Sequence, residues 1–255
     1  MGRVSVFSSI VLAGLLAGCQ GRTIAARAPD GPVYVCRHTQ DAPVVDGSLG
    51  DAAWKKADLI HLVHSDGSGA PRQPTVVRAL WSDTYLFLAF DCTDTDIWAG
   101  LDKHDSAIYE EEVVEVFLND NADRREYVEL EVSPNNTTFD TLILNPGSGK
   151  KFKTMLDYEC TGWKTAVKVD GTVGRSATPN KQGDHRWTVE MAIPMDQLYL
   201  APHHPPLTGD RWCWNLFRID RPAGDRSNHE FTCWSPPLKP SFHTPERFGY
   251  LEFAN

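Results

Sequence analysis

Residues that could do chemistry cluster in an acidic run. Glu110, Glu111, Glu112 and Glu115 lie within YEEEVVEVF, and paired carboxylates about 5 to 10 Å apart are what glycoside hydrolysis uses. In a strand, however, neighbouring residues face opposite ways, so these glutamates cannot all converge, and no separate acidic motif clearly faces them. Glu115 sits between Val114 and Val116 and therefore points away from the apolar side of its strand; a solvated strand glutamate is the alternative. Arg218 and Asp220 are two residues apart in WNLFRID, hence on one strand face, as an ion pair or as a clamp on a ligand. Asp91, Asp94 and Asp96, with Asp46 on a neighbouring turn, offer oxygen ligands of the kind calcium prefers, without an EF-hand loop; a solvated acidic edge is the alternative. No other cofactor is indicated, and no CxxC pair or His cluster suggests zinc.

The elements that must position these residues are short. From Val33 onward, runs such as PVYVCRHT, TVVRALW, YLFLAFDC, EVVEVFLND, EYVELEVS, TFDTLILN, WKTAVKV, RWTVEMAIP, WCWNLFRID and FGYLEF are broken by Gly, Pro, Asn and Asp. That spacing predicts an all-β fold: a two-sheet antiparallel β-sandwich, jelly-roll-like, with few short helices. The helices are expected near DAAWKKA and PMDQL, at about two turns each. In YVELEVS, Tyr127, Glu129 and Glu131 share one face while Val128, Leu130 and Val132 share the other. Trp54, Trp81 and Trp234 are expected to plug the core, and Trp98, in an acidic loop-like stretch, is an alternative stacking platform if exposed.

The N-terminus begins MGRVSVFSSIVLAGLLAGCQ, with Arg3 ahead of an apolar stretch from Val4 to Leu16. This is a signal-peptide pattern, too short to span about 30 Å of hydrocarbon, which takes roughly 20 residues. Leu16-Ala17-Gly18-Cys19 resembles the bacterial lipobox, whose cysteine is lipidated, and Gln20 stands where an inner-membrane retention signal would place Asp. The expected plan is a signal peptide over 1–19, a tether over 20–32 and one domain over 33–255. The protein is then exported and lipid-anchored to the cell envelope at its periplasmic or extracellular face, at the outer membrane if the cell has one. Of the five remaining cysteines, Cys213 and Cys233 lie in neighbouring strand-like runs and are the first pair to test for a disulfide; buried free thiols are the alternative. A net charge of −9 with no basic stripe argues against nucleic acid as a partner.

Five segments in order, VVDGSLGDAAW (44–54), TVVRALWSDTYLFLAFDCTD (75–94), YEEEVVEVFLND (109–120), RWTVEMAIP (186–194) and CWSPPLKPSFHTPERFGYLEF (233–253), resemble the family-9 carbohydrate-binding modules over essentially the whole of 33–255. The resemblance implies a β-sandwich that holds a mono- or oligosaccharide, or its end, between two aromatic rings without catalysis, with calcium in some members. It places Tyr109 and Phe242 at the two ring positions and Glu115 at a sugar-contacting acidic position. Departures are clear: Tyr and Phe stand for two tryptophans, Glu131 for an arginine and Phe217 for a glutamine, with Arg218 the nearest substitute donor. The implied role is polysaccharide capture or catabolism, with polysaccharide-degrading enzymes as a further partner class. Other readings are a structural or protein-binding envelope module, a glycoside hydrolase, or a haem-binding electron-transfer domain like distant relatives of the family. The last would need axial His or Met; Met155, Met191 and Met195 occur, but in no ligand motif.

Overall fold

The structure, a computed structural model, describes residues 1–2, 30–147, 150–176, 183–222 and 228–255. The signal peptide, Cys19 and nearly all of the tether expected from the sequence lie outside the described residues. Fourteen strands follow one another: β1 (Val33–His38), β2 (Ile60–His61), β3 (Val63–His64), β4 (Thr75–Trp81), β5 (Tyr85–Thr93), β6 (Val113–Asn119), β7 (Glu126–Val132), β8 (Thr138–Leu144), β9 (Lys153–Met155), β10 (Lys164–Asp170), β11 (Arg186–Pro194), β12 (Arg211–Asp220), β13 (Glu230–Cys233) and β14 (Gly249–Ala254). Each of the ten β-branched and aromatic runs forms a strand. The two expected helices are short 3₁₀ turns, Ala52–Lys56 and Met195–Gln197. Among the described residues no helix is long and apolar enough to cross a membrane.

The strands form one curled, mixed ladder in the order β10-β11-β5-β4-β1-β14-β12-β6-β7-β8-β9. It folds into two layers around a single core, with β1 at the fold, where it runs parallel to both β14 and β4. The expected sandwich is present, but antiparallel pairing is interrupted at these two ladders. Alternation explains the core: Val114, Val116 and Leu118 of β6, Val128, Leu130 and Val132 of β7, and Trp212, Trp214 and Leu216 of β12 meet Leu86, Leu88 and Phe90 of β5 and Val189 and Met191 of β11. Trp54 and Trp81 are buried, as expected, and Trp234 packs half-buried against the core. Trp98 is also buried, its indole N–H donating to the Arg221 carbonyl at 2.6 Å, so it offers no exposed platform.

Both outer faces are covered. The DGSLGDAAW segment lies over β5 and β11, where Trp54 packs with Leu80, Phe87 and Ala89. Glu190 of β11 pins it, accepting from the amides of Asp46 and Gly47 at 2.9 and 2.8 Å and from the Trp54 indole at 2.8 Å. On the opposite outer face, Phe117, Tyr127, Phe217 and Phe248 form a second apolar cluster against which Phe242 packs.

The disulfide expected between Cys213 and Cys233 is corrected by register. Cys233 stands opposite Phe217 on β12, four positions from Cys213, or about 13 Å along the strand, whereas a disulfide needs Cα atoms within about 7 Å. Both thiols are free and buried.

The turn into β14 sets a test of the packing. A Cβ on Gly249 would overlap the Trp234 indole and lie 2.8 Å from the Pro32 carbonyl oxygen, whereas one on Gly50 would meet only the Ser48 hydroxyl at 3.6 Å. Gly249→Ala should destabilise the domain by about 1–3 kcal/mol in denaturant unfolding, with Gly50→Ala close to wild type; equal effects would contradict the packing described.

Candidate saccharide-binding site

The outer face of β6, β7 and β12 carries a concave site, a cavity of about 540 Å³. Tyr109, Phe139, Phe152, Phe231 and Phe242 form much of its wall, and Glu115 and Glu129 line its floor. Tyr109 belongs to the 3₁₀ turn Ile108–Glu110, which is held down by buried Ile108. Its ring is half-exposed and meets Phe139 edge-on at 5.7 Å between centroids. Phe242 stacks on Phe217 at 4.2 Å and 16° and meets Phe231 edge-on at 6.2 Å. The two aromatic residues expected at the site therefore line one cavity.

Arg221, just beyond β12, ties the parts together. It donates to the Tyr109 carbonyl at 3.1 Å, stands 3.1 Å from His229 Nδ1 and places its guanidinium 5.3 Å from the centre of the Phe231 ring. His243 closes another side, its ring tilted 32° against Phe152 at 4.0 Å between centroids, with its Nδ1 2.9 Å from the Tyr127 hydroxyl. Burial pulls its pKa down to about 4, which keeps the imidazole neutral at pH 7.

The floor is acidic and dry. Glu115 stands directly opposite Glu131 across the β6–β7 ladder, and Glu115, Glu129 and Glu131 each bring a carboxylate oxygen within 4.8 Å of the others. All three are buried. Burial, and then repulsion from its neighbours, holds Glu115 and Glu131 well above the usual carboxylate range, and burial pushes Glu129 up to about 7. Like charges this close cannot all ionise, so the trio titrates as a unit. Glu131 stands behind Glu115 and Glu129 and does not itself line the cavity, so its expected place at the ligand surface is corrected to that of a buried neighbour of the floor.

Arg218 is corrected more strongly. Its side chain points between the layers, buried among Asp94 at 2.8 Å, Asp220 at 3.2 Å and the Thr93 carbonyl at 2.7 Å. Phe217 faces the cavity side, so Arg218 on the next position cannot, and the ion pair with Asp220 is the alternative that holds. The acidic run scatters in the same way. Glu112 accepts from the Trp98 amide at 3.2 Å inside the sandwich, and Glu111 accepts from the amides of Gly100 and Leu101 at 2.8 and 3.0 Å.

The expected calcium set does not converge. Asp94 is held inside by Arg218 and the Trp187 indole, while Asp91 faces outward beside Arg186 at 3.7 Å. Asp46 accepts from the Ser48 amide at 2.8 Å, and the Asp96 amide donates to Asp94 at 2.9 Å. Positions 91 and 94 have opposite strand parity, which separates their side chains.

Comparison with known proteins now bears on this cavity, because the profile of carbohydrate-binding family 9 matches residues 53–253. The chain belongs to carbohydrate-binding family 9. An extracellular protein of Arthroderma benhamiae is 26% identical over 187 residues, spanning 72% of this chain and 80% of that protein. Exoglucanase XynX of Acetivibrio thermocellus is 29% identical over 156 residues, 56% of this chain but 13% of the enzyme. A family-9 module from Caldicellulosiruptor kristjanssonii, solved with cellotriose, shares the fold at a TM-score of 0.59 and 16% identity, over 88% of this chain and 94% of that one.

Most of the residues that line the cavity of this family-9 domain are not among those expected from the sequence, Glu129, Arg221, Phe139 and Phe231 among them. Glu129 and Arg221 were within reach of strand parity, through Tyr127 and Phe217 respectively. Phe231 and Phe139 carry no local signal, since only the fold brings β13 and β8 to one cavity.

The buried floor makes stability depend on pH in a stated direction. Between an ordinary 4.5 and about 7 for Glu129, the folded state holds more protons than the unfolded one, so stability falls as pH rises through that window. Glu129→Gln should therefore gain on wild type between about pH 4.5 and 7, measured by denaturant unfolding at several pH values. A constant difference across the window would show that Glu129 titrates normally.

Proposed function

We propose that this domain binds saccharides, without catalysis, in the cavity between Tyr109 and Phe242. The observation that carries this is the cavity itself: aromatic walls over a hydrogen-bonding floor, in a chain of carbohydrate-binding family 9. Sugar rings present an apolar face that packs on aromatic planes, and their hydroxyls both donate and accept. A carboxyl that keeps its proton can answer a hydroxyl in either sense, and the perturbed floor supplies such groups. Glu115, Glu129 and Glu131 share one wall on adjacent strands, whereas glycoside hydrolysis needs two carboxyls flanking the scissile bond. Binding thus fits the arrangement better than hydrolysis.

The solved neighbour bound to cellotriose makes short β-linked glucans the first ligands to test. The lipobox-like Leu16–Cys19 supports a lipid anchor that holds the domain at the cell envelope, where it would retain polysaccharide for degrading enzymes. Calorimetric titration of the domain with an oligosaccharide panel tests the assignment. Saturable binding is expected, weakened about tenfold or more in Tyr109→Ala and further when Phe242→Ala is added, with the near-ultraviolet circular dichroism of the fold retained. Unchanged affinity in the folded double variant would overturn the site, and absence of binding across the panel would favour a structural or protein-binding envelope module.

A further inference from the structure

The cavity floor holds more acidity than a neutral saccharide calls for. Three carboxyls, Glu115, Glu129 and Glu131, crowd within 4.8 Å, and the one guanidinium among the described residues that line the cavity, Arg221, is already engaged with Tyr109, His229 and the Phe231 ring. Glu115, which lines the cavity and is 2% exposed, makes no side-chain hydrogen bond among the described residues, and the fully buried Glu131 has only Glu129 of the same trio as a partner. A buried acceptor without a donor is costly, and here that of Glu115 faces an open cavity. Much of the remaining wall is aromatic, and aromatic faces attract cations.

An ammonium group answers this set: it brings three donors and no acceptor, and it carries the charge that the trio lacks. We propose that the saccharide bound in this cavity is an amino sugar of the glucosamine type, its free ammonium seated against Glu115 and Glu129 and backed by Glu131, with its ring against the aromatic wall. This rests on the saccharide-binding reading and narrows it to a substrate class. The exchange balances in charge. A proton held among the crowded carboxyls leaves to solvent as the ammonium enters, so that a carboxylate faces the cation and no bond within the sugar is broken.

The test is calorimetry on the full chain with three trisaccharides: the fully deacetylated glucosamine trimer, its N-acetylated counterpart and cellotriose. Titrations are run with and without chelator and in two buffers of different ionisation enthalpy. The expected result is a glucosamine trimer that binds about tenfold or more tighter than the other two, as a charge-assisted hydrogen bond provides, with an enthalpy that differs between buffers because protons are released. The ratio should fall toward one in Glu129→Gln and, as a second variant should that chain fail to fold, in Glu115→Gln. Equal or tighter binding of cellotriose would overturn the amino-sugar assignment and leave the saccharide reading standing; no binding of any trimer would remove both. Binding of 1,5-diaminopentane as tight as that of the glucosamine trimer would overturn the sugar part. A preference that disappears with chelator would assign the floor to a metal ion, and an enthalpy indifferent to buffer would refute the proton exchange.

Discussion

Successive residues of a strand face opposite ways, and on β6, β7 and β12 that alternation is used on both sides at once. Val114, Val116, Val128, Leu130 and Leu216 build the core between the layers. Glu115, Phe117, Glu129, Glu131 and Phe217, one position away, build a second interior on the outer face. A slip of one residue in β6 or β7 would send glutamates into the core and valines into the cavity, and one in β12 would turn Arg218 to the cavity face. The site therefore depends on register before it depends on any single side chain.

The second interior exists because the outer face is roofed. Phe242 and His243, from the segment before β14, pack onto Phe217 and Phe117, and the 3₁₀ turn bearing Tyr109 is tied down by Arg221. Roofing removes water from carboxyls that would otherwise be an ordinary wet strand face. Desolvation then raises Glu115, Glu129 and Glu131 together, a direction that opposes folding as pH rises. The charged cluster between the layers is managed differently: Arg218 lies against Asp94 and Asp220 and offsets their repulsion. Both buried acidic groups hold oxygens without a donor outside their own group, Glu112 and Asp220 in one and Glu131 in the other; among the described residues the second is the one whose members Glu115 and Glu129 line the cavity.

Much of this was legible in the sequence, and unevenly so. The strand runs and the alternation in YVELEVS fixed the layers and put Glu129 and Glu131 on the face away from the core, because period-2 patterning is local, but that face is buried and not wet. Tyr109, Phe242 and Glu115 were reached only through resemblance to the family, since nothing in their immediate neighbours distinguishes a cavity wall from an edge. Arg218 was a parity mistake: given Phe217 at the site, positions 219 and 221 share its face, and both line the cavity. In the Asp46, Asp91, Asp94 and Asp96 set parity separates Asp91 from Asp94, while Asp46 accepts from the amide of its own turn, and Cys213 with Cys233 failed because adjacency of strands does not determine register. Phe139 and Phe231 depend on long-range pairing, of β8 with β7 and of β13 with β12, which no local signal encodes.

The central claim is the location of the binding face, and amide chemical-shift mapping during a saccharide titration tests it most directly. Shifts should concentrate at Glu115, Glu129, Ile219, Phe231 and Phe242, leaving the opposite outer face still. That face carries a cleft of similar size, about 510 Å³, lined by Ser48, Lys55 and Arg78 among others. Shifts gathered there, with the β6–β7–β12 face silent, would contradict the account.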